Sequence, residues 1–268
     1  MIKIENTEVM GWEAAIRGMR NPMNSWEKSD SYPCIILNEI TEENRKYRCA
    51  GCKNEFVGRP NCMVVGPNDY DLMMRLRNAG TDHRKFMRMI VVYLDITAPL
   101  YWWKEFDTYK VGTVANSCST MHKIHDKEFT LEDFSCEHLL GVYDDGKVTD
   151  LLLDVSPDCD GTVSFSPNGH MLNTVKMLNI CRDKYLKTKD KKYWWQMIQL
   201  LPSSYNQRRT VMLNYEILAN IYKSRNNHKL DEWRVLCNWI EKLPYSELIA
   251  GKDNNNEILW EIFKKYAK

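Results

Sequence analysis

The sequence predicts an α+β fold, with a small, mostly antiparallel sheet followed by a helical C-terminal half. The run at residues 89–97 is rich in β-branched and aromatic residues, which is typical of a strand. Asp145-Gly146 lies between two short apolar stretches and predicts a hairpin turn. After residue 171 the apolar residues recur at helical spacing. Strands that precede helices, rather than alternate with them, indicate the α+β class.

Composition favours a folded protein with no general attraction to polyanions. The chain has 268 residues, 44% of them hydrophobic, and a formal charge of +1. We therefore expect one α+β domain over residues 1–268, while a local basic site for nucleic acid is not excluded. No apolar run approaches the roughly 18–20 residues of a membrane span, and the N-terminus lacks the apolar core of a signal peptide. We expect a cytoplasmic protein without a membrane partner.

Local signals place the elements of the first half. Residues 1–9 alternate loosely and predict an edge strand, and residues 12–19 predict a helix. A second helix is predicted to begin at Asn68 as its cap and to end before Gly80 in a left-handed conformation. Its predicted buried stripe is Leu72, Leu76 and Ala79. The strand at 89–97 should end before Pro99, because a residue that precedes proline avoids the α region.

The second half is predicted to be mainly helical. A helix is expected at 100–109 and ends before Gly112, and a short strand at 162–165 ends before Pro167. Helices are predicted at 171–188, 192–200, 205–224 and 229–242. A C-terminal amphipathic helix is predicted from Ile258, Leu259, Ile262, Phe263 and Tyr266.

Residues 34–62 are predicted to form an insertion that carries a candidate metal site. A Cys-x-x-Cys turn directs two thiolates at one tetrahedral metal ion, and two further cysteines can complete a four-cysteine zinc site. The candidate ligands are Cys34, Cys49, Cys52 and Cys62. The alternative is a surface loop with free thiols, since the second pair lacks the Cys-x-x-Cys spacing.

A small polar segment at residues 116–120 indicates a phosphate site. Its hydroxyls and amide lie in sequence near Lys110, His122 and Lys123, and this mixture suits a phosphorylated ligand. The chain contains neither a P-loop nor a dinucleotide-binding glycine motif. His122 and His125 are expected to be surface or structural histidines, because a metal site would need further ligands.

Two asparagines lie on or beside the apolar stripe of the helix predicted at 205–224. A buried amide needs hydrogen-bond partners, so Asn214 and Asn220 either bond to neighbouring backbone or contact a ligand. Arg225 follows at the end of this helix, where it can pair with a phosphate or with a polar base edge.

These two regions together resemble the flavin-dependent thymidylate synthase family. Residues 80–86 match the family's Gly-His-x-x-x-Phe segment with one extra residue, and Ala98-Pro99 matches its apolar-Pro turn. The family signature is Arg-His-Arg-x-x-Ser-x-Asn-Glu-x-Ser-x-Arg-Tyr, in which Lys110 takes the place of the second arginine. Thr113, Asn116 and Ser119 stand for its first serine, its asparagine and its second serine, after one inserted residue.

The C-terminal block keeps the order of the family's second motif. That motif is Leu-Pro, Tyr-Thr, then Asn-Ala-Arg-Ser-Leu-x-Asn and a downstream arginine. The corresponding residues are Leu201, Pro202, Tyr205, Thr210, Asn214, Leu218, Asn220 and Arg225. The resemblance covers about residues 68–125 and 195–240, and it depends on two separated blocks that agree in order.

The resemblance implies a specific activity. Family members are homotetramers with FAD at subunit interfaces, and they methylate C5 of dUMP with methylenetetrahydrofolate and NADPH to give dTMP. It therefore implies a pyrimidine nucleotide such as dUMP or dCMP as ligand, FAD as cofactor, and NADPH and the folate as co-substrates. Zinc is implied only by the cysteines of the insertion.

The resemblance also implies which residues form the site. The implied catalytic residues are Arg225, which contacts the pyrimidine, and Ser119. The implied nucleotide-binding residues are Glu105, Lys110, Asn116, Ser117, Cys118, Ser119, Thr120 and Arg225. The implied cofactor-binding residues are His83, Thr108, Tyr109, Lys110, Asn214 and Asn220.

Several positions depart from the family pattern. Thr108-Tyr109 replaces the first Arg-His pair, and Ser117 replaces the signature glutamate. Met121-His122 replaces the final Arg-Tyr, and Glu216 replaces the arginine of the second motif, which reverses a charge near the expected flavin. Two functions therefore remain open: a flavin-dependent methyltransferase, and a non-catalytic protein that binds a nucleotide or a partner through the same fold. A purely structural α+β domain is a third alternative.

Overall fold

The computed structural model describes residues 1–33, 63–149, 151–155 and 163–251. The cysteine-containing insertion and the C-terminal helix predicted around residues 258–266 lie outside the described residues. The strands are β1 Lys3–Met10, β2 Tyr32–Pro33, β3 Met63–Val64, β4 Val91–Pro99, β5 Val114–Ser117, β6 Tyr143–Asp144, β7 Lys147–Val148, β8 Leu153–Val155, β9 Val163–Phe165 and β10 Asn206–Asn214.

The helices match the predicted order, with two additional short helices that were not predicted. They are α1 Trp12–Arg20, α2 Pro67–Asn78, α3 Leu100–Phe106, α4 Thr120–Lys123, α5 Pro167–Thr188, α6 Lys191–Leu200, α7 Tyr215–Arg225, α8 Asp231–Ile240 and α9 Glu247–Ala250. Within the described ranges, no helix is long and apolar enough to cross a membrane.

The sheet confirms the predicted fold class. Four strands are hydrogen-bonded in the order β1-β4-β10-β5, so β1 lies at an edge as predicted. Three two-stranded antiparallel ribbons accompany them, β2–β3, β6–β7 and β8–β9. The β6–β7 ribbon turns at Asp145-Gly146, where both residues have positive φ (47° and 77°), as a tight hairpin requires.

The chain forms two compact units, each built from segments that are distant in sequence. The first contains Met1–Lys3, Ile96–Thr108 and Asn116–Arg209. The second contains Ile4–Asp95, Tyr109–Ala115 and Thr210–Lys268. The single domain expected from the sequence stays a prediction.

The core of the first unit lies largely between α5 and α6 and the loops before them. It is a cluster of apolar side chains, Ile124, Phe129, Phe134, Met171, Val175, Leu178, Cys181 and Met197. Elsewhere in this unit the ring of Trp102 stacks on Phe106 at 5.0 Å, and the Trp103 indole donates to the carbonyl of Gln207 at 3.0 Å. The donated bond satisfies the one polar atom of a fully buried indole.

The second unit is organised around aromatic rings and one buried ion pair. The ring of Trp12 meets those of Tyr215 and Tyr245 edge-on, at 5.4 and 5.1 Å. Arg20 Nε donates to the carboxylate of Asp69 at 2.6 Å, and both side chains are almost completely buried. A buried charge of this kind is tolerated only when it is paired and hydrogen-bonded.

Two predicted elements are corrected by the structure. The helix expected at 205–224 is wrong in its first half, because residues 206–214 form β10, in which Gln207, Val211 and Leu213 are buried and Arg208 and Thr210 are exposed. This alternation has the period of a strand.

The second correction concerns α2, which begins at Pro67 with Gly66 as its cap rather than at Asn68. Proline is favoured at a first helical position because its missing N–H would have no partner there. Its buried residues include Leu72, Met73 and Met74, while Ala79 is exposed. Gly80 has a positive φ of 113° after the helix, as predicted.

Candidate functional site

In the second unit, Arg225 lies at the end of α7 against two aromatic rings. Its Nε donates to the hydroxyl of Tyr109 at 3.0 Å. The guanidinium carbon lies 4.7 Å from the ring centre of Trp233 and 5.7 Å from that of Tyr109. Trp233 belongs to α8 and is completely buried. A cation held over aromatic faces is fixed in orientation, and the half-buried setting strengthens its field.

The turn after Tyr109 packs against the start of α7. The Thr113 hydroxyl donates to the carbonyl of Tyr109 at 2.7 Å, and Gly112 adopts a positive φ of 78°. A Cβ at Gly112 would lie 3.1 Å from Ile217 Cδ1 and 3.5 Å from Asn214 Nδ2. The positive φ of this turn therefore favours glycine, and an added Cβ would also require the Ile217 side chain to shift. Lys110, within the same turn, is exposed.

Both asparagines of the predicted site make hydrogen bonds within the protein. Asn214 caps α7, because its Oδ1 accepts from the N–H of Ile217 at 3.1 Å. Its Nδ2 donates to no residue that the structure describes. Asn220 Oδ1 accepts from Arg84 Nη2 at 3.0 Å, so this amide bonds to a side chain rather than to the backbone.

Glu216 pairs with two arginines that sequence reasoning missed. Its carboxylate accepts from Arg84 Nε at 3.4 Å, from Arg88 Nη2 at 3.3 Å and from Arg88 Nε. Burial raises the pKa of Glu216, but the bonds and charges of Arg88 and Arg84 more than offset it, so the pKa lies below its ordinary value. The same pairing raises the pKa of Arg88.

The charge reversal expected from Glu216 is therefore balanced locally. Two guanidiniums face one carboxylate, and Arg88 stays 55% exposed while Arg84 is 17% exposed. The implied cofactor residue His83 directly precedes Arg84 and is exposed. The sequence signal that could have found these partners is an acid in place of the family arginine, with Arg84 and Arg88 four residues apart.

The signature segment 116–120 lies in the first unit, where its backbone is hydrogen-bonded to β10. The N–H of Cys118 donates to the carbonyl of Arg208 at 3.0 Å, and Gln207 Nε2 donates to the carbonyl of Cys118 at 3.0 Å. The side chains of Asn116, Ser117, Cys118 and Ser119 are exposed. A fixed backbone with exposed small polar side chains suits contact with a polar ligand.

Other predicted residues of this unit make local hydrogen bonds. The Ser119 hydroxyl accepts from the N–H of His122 at 3.1 Å and caps α4. The Thr108 hydroxyl donates to the carbonyl of Glu105 at 2.7 Å. Both hydrogen bonds join residues that are close in sequence, so they do not depend on tertiary packing. Each uses only part of the hydrogen-bonding capacity of its hydroxyl.

A further arginine in the first unit was not predicted. The guanidinium of Arg209 lies 4.1 Å from the ring centre of Trp103. Its Nε donates to Gln207 Oε1 at 2.9 Å, and its Nη1 pairs with Asp107 at 2.7 Å. Three contacts fix this cation, whereas the sequence predicted only an arginine near the start of a helix.

No metal centre is found among the residues that the structure describes, taking groups of three or more histidines, cysteines and acids. His125 packs edge-on against Tyr185 at 4.9 Å, in agreement with the structural role expected for it. The predicted zinc ligands Cys34, Cys49, Cys52 and Cys62 lie outside the described residues.

Comparison with solved structures identifies the fold. No protein-family model matches the sequence, and no curated protein matches it. Two structures of the flavin-dependent thymidylate synthase ThyX from Helicobacter pylori, each with FAD and dUMP, match with TM-scores of 0.56 and 0.55. Both are 14% identical and cover 94% of this chain and 98% of theirs.

A UMP/dUMP methylase, PolB from Streptomyces cacaoi bound with 5-Br dUMP, matches with a TM-score of 0.50 and 12% identity. The match covers 99% of this chain and 96% of PolB. The resemblance seen in two sequence blocks thus extends over nearly the whole length of each protein. The chain has the fold of the flavin-dependent thymidylate synthases.

Proposed function

We propose that this protein binds a pyrimidine deoxynucleotide together with FAD and transfers a one-carbon unit to C5 of the pyrimidine. The observation that carries the proposal is the orientation of Arg225 by Tyr109 and Trp233. A guanidinium held in this way can donate to a pyrimidine carbonyl and stabilise negative charge that develops on the ring.

The nucleotide phosphate requires cations and N–H or O–H donors. Lys110 is exposed beside Tyr109 and supplies charge. In the first unit, the exposed side chains of residues 116–119 supply hydroxyl and amide groups. The assignment of phosphate binding to Lys110 and to the segment of the first unit comes from the resemblance alone. Lys110 replaces a signature arginine and gives a point charge in place of a bidentate fork.

The residues of the second unit fit a phosphorylated cofactor such as FAD. Arg84 and Arg88 supply two guanidiniums, which Glu216 pairs with directly and Asp82 faces at Arg88, and the Nδ2 of Asn214 has no described protein acceptor. FAD, when bound, would supply hydride-transfer chemistry. NADPH and methylenetetrahydrofolate as co-substrates, and a homotetramer, are further parts of the proposal that come from the resemblance alone.

Two measurements on the purified protein test this proposal. We expect a flavin absorption spectrum after incubation with FAD, and tritium release from C5-labelled dUMP or dCMP when methylenetetrahydrofolate and NADPH are present. A protein that takes up no FAD would overturn the flavin-dependent activity. Flavin uptake without tritium release from either nucleotide would overturn C5 transfer to these substrates.

A second candidate function is nucleotide or partner binding without catalysis. It is favoured by the internal use of groups that the resemblance assigns to ligands, because Ser119 and Asn214 cap helices and Asn220 binds Arg84. Thermal-shift measurements with mononucleotides separate the candidates. Stabilisation by dUMP without flavin uptake supports nucleotide binding alone, and no stabilisation by any mononucleotide supports a partner-binding protein.

A further inference from the structure

The end of α5 and the start of α6 form a basic and aromatic corner, residues 182–195, within the first unit. It contains six basic and two acidic residues, a net charge of +4 in a chain whose total is +1. The two acids are already paired, Asp183 with Arg182 at 3.2 Å and Asp190 with Lys192 at 2.9 Å. The remaining lysines, Lys184, Lys187, Lys189 and Lys191, form no ion pair with any described residue.

Aromatic rings hold several of these lysines in place. The Nζ-to-ring-centre distances are Lys184–Tyr193 5.6 Å, Lys189–Tyr185 5.7 Å, Lys191–Trp194 5.9 Å, Lys191–Trp195 5.6 Å and Lys192–Tyr193 4.8 Å. Contact with a ring face restricts a flexible lysine while its ammonium stays accessible. The corner therefore presents several partly ordered cations rather than freely moving ones.

The corner also exposes a ring. Trp195 is 42% exposed and is the one large apolar residue of 182–195 with substantial exposure, a range that the structure describes completely. The neighbouring Trp194 is fixed, because its Nε1 donates to the carbonyl of Met121 at 3.0 Å. Cations beside an exposed indole match the two chemical parts of single-stranded nucleic acid, which are phosphates and flat bases.

Other occupants fit less well. A symmetric contact with a second copy would bring the same lysines together, which is repulsive. A bilayer surface requires exposed aliphatic side chains, and the exposed aliphatic residues of α5, Leu172, Met177 and Ile180, precede this corner. A mononucleotide has a single phosphate group, far fewer charges than the corner offers.

We propose that residues 182–195 bind single-stranded nucleic acid, with the lysines contacting phosphates and Trp195 stacking on a base. Binding is not base-specific, because ammonium groups and an indole face distinguish bases weakly. Residues 182–195 are separate in sequence from the residues assigned to the mononucleotide, and the proposed nucleic-acid binding does not require flavin.

The test measures fluorescence anisotropy of a labelled oligodeoxythymidine with the full chain over a series of salt concentrations. We expect the double variant Lys187→Glu/Lys191→Glu to weaken binding by about tenfold or more at low salt. We also expect it to reduce the salt slope by about 1.4, which corresponds to two lost phosphate contacts. The matched control is Lys28→Glu/Lys147→Glu, which makes the same charge change at exposed positions elsewhere and should bind nearly as the wild type.

Substitution of the exposed ring gives a second readout. Trp195→Ala should weaken binding by about tenfold, while Trp195→Phe, which keeps an aromatic face, should lose much less. Circular dichroism establishes that each variant is folded. The proposal is overturned if the wild type does not bind the oligonucleotide at low salt, or if the control pair weakens binding equally. It is also overturned if phosphatidylglycerol vesicles bind while the oligonucleotide does not.

Discussion

Arg225 donates from its Nε to the hydroxyl of Tyr109 at 3.0 Å, across 116 residues of sequence. Tyr109 occupies the place of a histidine in the family signature, and both side chains lie against the buried indole of Trp233. The pair therefore joins the signature region to the end of α7. It also explains how an arginine at a helix end, where side chains are often mobile, acquires a defined direction.

The first prediction removes the acceptor of this bond. Tyr109→Phe should weaken dUMP binding by about three- to tenfold, because one hydrogen bond to a half-buried cation is lost while the packing of the ring remains. Isothermal titration measures the dissociation constant. Tyr93→Phe, at a 40% exposed ring in β4, is the control and should leave binding unchanged. Equal binding by Tyr109→Phe and wild type would exclude a positioning role for the hydroxyl.

The second prediction concerns the turn at Gly112. Gly112→Ala should destabilise the protein and weaken binding of the flavin, because a methyl group there lies 3.1 Å from Ile217 Cδ1, close to the start of the helix that Asn214 caps. Gly146→Ala is a matched control, since its φ of 77° equals that of Gly112 within one degree and nothing lies within 4 Å of the added methyl. Chemical denaturation of both variants separates the conformational cost, about 1 kcal/mol, from the steric one. Equal losses in the two would show that close packing at Gly112 is unimportant.

The third prediction restores the family's arginine at position 216. Glu216→Arg should destabilise the protein by about 3 kcal/mol or more, because it leaves Arg84 and Arg88 facing a third cation. Adding Arg88→Glu to this variant should recover part of the loss, since opposite charges face each other again. The free energy of unfolding is measured for both single variants and the double variant. A stable Glu216→Arg protein would mean that the three side chains are not coupled.

The fourth prediction is a dependence of stability on acid. Burial raises the pKa of Asp69, but hydrogen bonds from Ser31 and Ser29 and the nearby Arg20 outweigh it, so the folded pKa lies below the ordinary 3.8. Such a carboxylate stabilises the fold above its unfolded pKa, and this contribution disappears as pH falls through the lower folded value. Unfolding free energies should therefore fall as pH is lowered below about 4.

Asp69→Asn isolates this contribution. It should cost about 3–5 kcal/mol near neutral pH, because it leaves the buried Arg20 without its counter-charge. Asp71→Asn is the control, since it breaks a surface pair with Arg75 at a 61% exposed carboxylate and should cost less than about 0.5 kcal/mol. If the two variants lose similar stability, the buried pair does not stabilise the fold.

Local sequence signals predicted most elements and failed where two periods coexist. The helix at α1, the strand at β4 and the hairpin at Asp145-Gly146 follow from nearby apolar spacing and turn residues. Residues 206–214 form a strand and residues 215–225 a helix, with no loop between them. The apolar residues of both elements can be placed on one helical stripe, which led to the prediction of a single helix. Residues 206–214 form a strand because β10 is hydrogen-bonded between β4 and β5, and pairing with neighbouring strands outweighs local propensity.

The sequence by itself determined the α+β class, the order of elements and the two blocks that resemble the flavin-dependent thymidylate synthases. Only the tertiary structure decided which site residues meet. Glu216 pairs with Arg84 across 132 residues, and Arg225 meets Tyr109 across 116. Propensity and spacing act over a few residues, whereas these contacts depend on how distant segments pack. That packing gives Glu216 two counter-charges and Arg225 its direction.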